Sequence, residues 1–210
     1  MKKFKKGKDF EPKYVYPAVA CAIMGKNIFD IEKARKYLGI YPTEEQLAIL
    51  STVPYSETVL RTLKDRYVLV VNYGEPILTQ KAMNQRFFYG SKNTEYNSEE
   101  FAKKAGKIGW NLIRKTEIPG SVNKSYRDQI SLLRENESVP KAQELVNAIV
   151  AFSLLGDRLF RHWFVRVDNI DKQGNCIYVG NPIPTNIRIY KYNKDIRLEK
   201  VGLASQIIPT

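Results

Sequence analysis

The residues best suited to chemistry lie between positions 157 and 168, around the only histidine of the chain, His162. An imidazole can act as a general base near neutral pH, and arginines can hold an anion with paired N–H donors. One hypothesis is therefore a hydrolase or phosphoryl-transfer enzyme that uses His162 and Asp168, with a clamp of nearby cations. The clamp would comprise Arg158, Arg161 and Arg166.

The alternative for this segment is a half-buried histidine flanked by arginines in surface ion pairs. We favour it because a single His–Asp–Arg grouping is common in proteins of every function. The sequence contains no glycine-rich phosphate loop, no serine elbow and no carboxylate–lysine nuclease signature to accompany it. The chain is thus more readily interpreted as a protein that is not an enzyme.

Potential metal ligands are scarce. Cys21 and Cys176 are the only cysteines, which is too few for a thiolate zinc site or a disulfide framework. One histidine excludes a paired-histidine site within one chain, and the acidic residues after Asp168 lack the spacing of a calcium loop. The sequence predicts neither a metal nor a cofactor.

Positive charge is the most distinctive feature of the composition. The formal net charge is +12, of which residues 1–13 contribute +4 and the rest of the chain +8. Such a field favours nucleic acid or another polyanion as a partner, although lysines can also serve only solubility. The predicted anion-binding residues are Lys2, Lys3, Lys5, Lys6, Lys8, Arg158, Arg161, Arg166, Arg188 and Tyr190.

The predicted strand 187–192 is the best candidate for a nucleic-acid contact. Alternation places Ile187 and Ile189 inward, with Arg188, Tyr190 and Tyr192 together on the opposite face. Rings beside cations can stack bases and hold phosphates. The competing interpretation is an ordinary solvated face of amphipathic side chains.

The fold prediction is organised around a helix over residues 138–155, capped by Ser138 and ended by Gly156. A strand over 160–168 follows, with Trp163, Val165 and Val167 on one face. His162, Phe164, Arg166 and Asp168 would share the other face. We predict an α+β fold with N-terminal helices and a mainly antiparallel sheet in the C-terminal half, on which the 138–155 helix packs.

The N-terminal half reads as short capped helices. Residues 15–24 form a buried strand or helix, and Asp30, Thr43 and Ser56 begin three helices. The spacing over 46–63 resembles a helix-turn-helix with a wing in the strand that follows. Its turn lacks the usual glycine and is one residue too long, so two packed helices joined by a proline turn are the favoured alternative.

The chain is expected to comprise a flexible basic tail over residues 1–13 and a single α+β domain over 14–210. An alternative division sets residues 14–65 apart within that domain as a small helical subdomain. No apolar run is long enough to span a membrane. Acidic residues interrupt the basic start, which argues against a signal peptide. We therefore expect a cytoplasmic protein without a transmembrane segment.

Several short motifs carry a resemblance. The segments 109–115, 118–121 and 157–160, with Arg166 and Asp168, are similar to those of a group of bacterial hypothetical proteins that have no assigned activity. The resemblance implies a shared fold and no particular function.

These observations lead to three functional hypotheses. The favoured one is a non-enzymatic cytosolic binding or assembly module with a basic surface for nucleic acid or another polyanion. The second is the enzyme built on His162, and the third is a structural component of a larger protein assembly.

Overall fold

The computed structural model describes residues 13–90, 95–160, 164–180 and 186–209. The helices in these ranges are α1 Pro17–Met24, α2 Ile31–Leu38, α3 Glu44–Leu50, α4 Glu57–Leu63, α5 Ile77–Met83, α6 Glu100–Lys103, α7 Tyr126–Ile130 and α8 Ala142–Leu154. The strands are β1 Ile28–Phe29, β2 Tyr67–Tyr73, β3 Ile108–Arg114, β4 Glu137–Ser138, β5 Phe164–Ile170, β6 Cys176–Gly180, β7 Arg188–Tyr192, β8 Val201–Leu203 and β9 Gln206–Ile207.

The strands form two sheets. One has the order β1-β2-β3-β9-β4 and the other β7-β6-β5-β8. All neighbouring strands are antiparallel except the β1–β2 and β5–β8 pairs. The predicted α+β class is confirmed, and the first sheet also takes two strands from the N-terminal half, β1 and β2.

Helix α8 joins the two sheets. It contacts β2 and β3 of the first sheet and β5 and β6 of the second. Its side chains from Leu145 to Phe152 are almost all buried, which explains why the apolar pattern extends around most of the helix. Buried side chains of α8 belong to one apolar cluster that also includes residues of both sheets.

The predicted start of this helix is wrong. Ser138 lies in β4, where it pairs with Gln206, and the helix begins at Ala142. Pro140 precedes the helix, and its carbonyl oxygen accepts a hydrogen bond from the backbone of Asp168 (2.9 Å). Long-range backbone pairing therefore overrides the local capping preference of the serine. The end is as predicted, with Gly156 in the left-handed region (φ 77°).

The N-terminal helices begin at the predicted capping residues. Asp30 accepts from the backbone N–H of Lys33 (2.8 Å), and Ser56 caps α4 in the same way. Thr43 and Gln46 form a complete capping box at the start of α3. Of residues 15–24, for which the sequence predicts a buried strand or helix, 17–24 form α1.

The helix-turn-helix interpretation is wrong. Helix α3 packs on β3 and α4 packs on α1, so each helix is fixed by a different neighbour. The expected wing is strand β2, whose side chains are all buried in the middle of the sheet. On α4, Glu57 forms an ion pair with Arg61 (2.6 Å), which places a carboxylate on the proposed recognition surface.

The predicted strand at 160–168 begins later than expected. Phe160 is buried with a positive φ of 54°, outside the extended region, and the described strand starts at Phe164. Val165 and Val167 face the core as predicted. Near the C-terminus, β8 belongs to the second sheet, whereas β9 lies between β3 and β4 of the first.

Asp171 holds the turn between β5 and β6. Its carboxylate accepts from the backbone N–H groups of Gln173 (2.9 Å) and Asn175 (2.8 Å) and lies 3.5 Å from the ammonium of Lys191. Burial by itself would raise the pKa of Asp171. The hydrogen bonds from Asn175 and Gln173 and the charge of Lys191 outweigh burial, so the pKa lies below its ordinary value.

We predict a pH-dependent contribution of Asp171 to stability. Because its pKa is lower in the folded chain, this contribution is complete above the unfolded pKa of about 3.9 and is lost as pH falls through the folded value. At pH 7, Asp171→Asn should lower the free energy of unfolding by about 1 kcal/mol. Urea unfolding across pH should show the difference shrinking in acid, with Asp65→Asn, at an exposed carboxylate, as the charge control. A difference that stays constant down to acid pH would contradict this assignment.

Candidate functional site

The four-stranded sheet presents four aromatic rings on the face turned away from α8. They come from the three strands β5, β6 and β7. Alternate residues of a strand point to the same side of a sheet, so the four rings share one side. We call Phe164, Tyr178, Tyr190 and Tyr192 the aromatic face.

The strand register brings these rings together. Tyr178 pairs directly with Tyr190, and Tyr192 lies two pairs along, opposite Cys176. The rings of Tyr178 and Tyr192 stack with centroids 5.4 Å apart and an interplanar angle of 23°. Phe164 meets Tyr190 edge-on, with ring centroids 5.4 Å apart. The strand between them, β6, carries Gly180 opposite Arg188, where the missing side chain leaves space for the rings.

Two of the four rings are open to solvent. Tyr190 is 38% exposed and Tyr192 is 45% exposed, whereas Tyr178 is buried. All four rings line a cavity of about 420 Å³, which is closed on its far side by residues 197–201. Tyr190 and Tyr192 also line a second cavity of about 480 Å³ beside Tyr89. The two tyrosines therefore stand between two concave surfaces.

Cationic side chains lie at both ends of the aromatic face. Arg197 and Lys200 are exposed and line the first cavity, together with the carboxylate of Glu199. Arg188 shares its strand face with Tyr190, as predicted, and its guanidinium lies 4.0 Å from the ring centroid of Tyr89. Rings and cations therefore occur together on this side of the sheet, with the carboxylate of Glu199 among them.

Lys191 points the other way and does not belong to this surface. Its ammonium binds the carboxylates of Glu99 (2.9 Å) and Asp171 (3.5 Å). Ile187 and Ile189 are buried, which confirms the predicted alternation of the strand.

Arg166 is fully buried, so its predicted place on an anion-binding surface is wrong. Its guanidinium lies 5.2 Å from the ring centroid of Tyr178 and donates to the Tyr178 hydroxyl (3.3 Å). Three further acceptors surround it: the side-chain oxygen of Gln129 and the carbonyls of Lys124 and Ile196. The side chain is held inside by neutral oxygens from distant segments.

Within the part of the chain that the structure describes, Arg166 has no acidic partner. Among residues 13–90, 95–160, 164–180 and 186–209, no carboxylate lies within 4.0 Å of its guanidinium, and its Nε has no hydrogen-bond partner. Burial raises the pKa of Tyr178, and the charge of Arg166 acts against that rise. The guanidinium therefore lies beside Tyr178 on the same side of the sheet, enclosed by the segments that carry Lys124, Gln129 and Ile196.

The described members of the predicted catalytic group do not converge. Asp168 is exposed and binds the ammonium of Lys141 (2.5 Å), while Arg166 turns into the interior. Arg158 is half-buried beside Asp157, whose carboxylate accepts from its backbone N–H (2.7 Å). Seven predicted site residues lie outside the described residues: His162, Arg161, Lys2, Lys3, Lys5, Lys6 and Lys8.

The thiols are poorly suited to nucleophilic chemistry. Burial, together with the nearby carboxylate of Asp30, raises the pKa of Cys21 to about 11, and burial also raises the pKa of Cys176. In the part of the chain that the structure describes, no group of three His, Cys, Asp or Glu side chains is arranged to hold a metal. Within the same residues, no helix has the length and apolar character needed to cross a membrane.

Sequence reasoning identified one strand of this surface and missed the rest. Tyr178 had a usable signal, since it alternates with the buried Ile177 and Val179. No signal in the sequence indicates that Arg197 and Lys200 lie near the aromatic face, because their position depends on how residues 193–200 return over the sheet. Comparisons with protein-family models, with curated proteins and with solved structures found no match to this chain, so the resemblance to a bacterial group remains a prediction from sequence.

Proposed function

We propose that the chain binds single-stranded nucleic acid on its aromatic face. The observation that carries the proposal is the pair of exposed rings, Tyr190 and Tyr192, on an edge strand flanked by Arg188, Arg197 and Lys200. Aromatic rings stack on bases of any sequence, and each stack contributes about 1–3 kcal/mol.

The spacing of the rings suits an unpaired strand. Tyr190 and Tyr192 stand two residues apart, which is about 7 Å along a strand. Paired bases are already stacked inside a duplex and would have to leave it to reach the tyrosines. We therefore expect single strands to bind more tightly than a duplex of the same sequence.

Electrostatics support an anionic ligand. The chain carries a net charge of +12, and the buried guanidinium of Arg166 adds positive potential beside Tyr178. Phosphates of a bound strand would lie toward Arg197 and Lys200, while the bases occupy the tyrosines. Salt should weaken binding, because each phosphate contact releases condensed counterions.

The test is a fluorescence anisotropy titration of the full chain with labelled polythymidine and polyuridine strands over a range of salt concentrations. We expect saturable binding at low salt that weakens steadily as salt rises, and weaker binding of duplex. The absence of salt-dependent binding at low salt would overturn the proposal, as would equal affinity for single and double strands.

The cations give a separate prediction within this titration. Arg197→Gln and Lys200→Gln should each reduce the slope of log affinity against log salt by about 0.7, the value for one lost phosphate contact on a single strand. Lys64→Gln removes the same charge from an exposed site at the end of α4, and it should leave the slope unchanged. Equal effects of the three variants would indicate only a general dependence on net charge.

A further inference from the structure

A separate cleft, distinct from the two cavities of the aromatic face, lies on the five-stranded sheet. It has a volume of about 380 Å³ and is bordered by β3, β9, the segment that joins α3 to α4, and the first turn of α8. Its lining combines apolar side chains with three polar groups that share one hydrogen-bonded chain. The polar groups are Asn111, Gln206 and Glu144.

The polar chain runs across three strands in one direction. Asn72 donates to Asn111 (3.0 Å), Asn111 donates to Gln206 (3.1 Å), and Gln206 donates to Glu144 (3.0 Å). The Asn72 oxygen in turn accepts from the backbone N–H of Gly74 (2.9 Å). These hydrogen bonds fix the orientation of all three side-chain amides, and each amide donates to the next group in the direction of the Glu144 carboxylate.

The two oxygens of Glu144 have different surroundings. Oε2 accepts from Gln206 and from the backbone N–H of Lys141 (2.8 Å), a bond that also caps α8. Within the described ranges, no donor bonds to Oε1 and no lysine or arginine nitrogen lies within 4.0 Å of the carboxylate. The bonds to Oε2 fix the carboxylate at the start of α8 and leave Oε1 for a donor from a ligand.

The remaining polar groups around the cleft are engaged within the protein. The Tyr55 hydroxyl accepts from the backbone N–H of Leu112 (3.2 Å) and lies 3.3 Å from the carbonyl oxygens of Trp110 and Ile207. The indole N–H of Trp110 donates to the carbonyl of Leu50 (3.2 Å). Burial raises the pKa of Tyr55, and the charge of Glu144 adds to that rise, so the hydroxyl stays protonated.

We propose that this cleft binds a small organic cation, an alkylguanidinium or alkylammonium ion. Its N–H groups would donate to Oε1 of Glu144, and its alkyl chain would pack against Ile49, Pro54 and Ile108. A carboxylate pre-oriented by neutral donors binds such a cation without first giving up another partner. Lys107 also lines the cleft, farther than 4.0 Å from Glu144.

Isothermal titration of the full chain with n-butylguanidinium chloride tests this inference, and n-butylurea is the neutral analogue of the same shape. We expect saturable one-to-one binding of the cation and none of the urea. Glu144→Gln keeps an oxygen for the cap of α8 but removes the charge, and it should weaken binding at least about tenfold. Glu100→Gln removes an exposed carboxylate outside the cleft and should change nothing.

Two further variants keep the test decisive. Ile49 is 53% exposed on the cleft wall, so Ile49→Arg should fold and should block binding with its own guanidinium, even if Glu144→Gln proves unstable. Tyr192→Ala should leave binding intact, which separates this cleft from cation binding on the aromatic face. The inference is overturned if the wild type does not bind the cation, if the urea binds equally, or if the tyrosine variant alone abolishes binding.

Discussion

Replacement of Arg166 by methionine should lower the free energy of unfolding by about 3–5 kcal/mol, the largest effect we expect from a single substitution outside the apolar core. Methionine has a similar length but no donors. Four oxygens would lose their charged partner inside the protein: those of Gln129 and Tyr178 and the carbonyls of Lys124 and Ile196. A buried acceptor left without a donor costs about 1–3 kcal/mol.

An opposing effect must be weighed against this loss. A buried charge carries a desolvation penalty, and exchange of a buried ionic group for an apolar one of similar size is sometimes stabilising. That outcome requires all partners to become apolar together. Here two of the four acceptors are backbone carbonyls, which no side-chain substitution removes. The loss of hydrogen bonds should therefore prevail.

Urea unfolding at pH 7 measures the effect. Arg61→Met is the matched control, because Arg61 is exposed and makes only a surface ion pair with Glu57 on the same helix. Such pairs contribute about 0.3–0.5 kcal/mol. Arg166→Lys should fall between the two, since lysine keeps the charge but cannot reach the acceptors as a planar fork. If the free energies of unfolding of Arg166→Met and of the wild type differ by less than about 0.5 kcal/mol, the guanidinium network contributes little to stability.

The position of Arg166 also shows where sequence reasoning stops. Alternation along β5 correctly separates Val165 and Val167 from Arg166, so the face of each residue is predictable. The exposure of that face to solvent is not predictable from the sequence, because the acceptors around the guanidinium lie 12 to 42 residues away in the chain. The residue type alone predicts an exposed arginine, whereas oxygen acceptors from distant segments stabilise the guanidinium inside the protein.

The same division between local and distant interactions holds throughout the fold. The caps at Asp30 and Thr43 are bonds over three residues, and both were predicted correctly. Ser138 has the same local chemistry, yet its backbone pairs with Gln206, 68 positions on. Assignment of β8 and β9 to different sheets likewise depends on partners far along the chain. On the aromatic face, the alternation of β7 was predictable, whereas its neighbours on β5 and the returning segment were not.

The double variant Tyr190→Ala, Tyr192→Ala should lose about 2–6 kcal/mol of binding free energy for single-stranded nucleic acid, at least about a 30-fold loss of affinity. Both rings are exposed on an edge strand, so the fold should survive their removal. Replacement of both residues by phenylalanine should keep most of the affinity, because stacking requires the ring and not the hydroxyl. Anisotropy titrations at one fixed salt concentration measure all the variants.

Tyr41→Ala is the control for this series, since Tyr41 is 78% exposed in the segment between α2 and α3, away from the second sheet. It should bind as the wild type does. The salt dependence then separates the two components of binding. Loss of the tyrosines should lower affinity at every salt concentration without changing the slope, whereas loss of Arg197 or Lys200 should change the slope itself. A tyrosine variant with unchanged affinity would show that bases do not stack on this face, whatever the charge of the chain attracts to it.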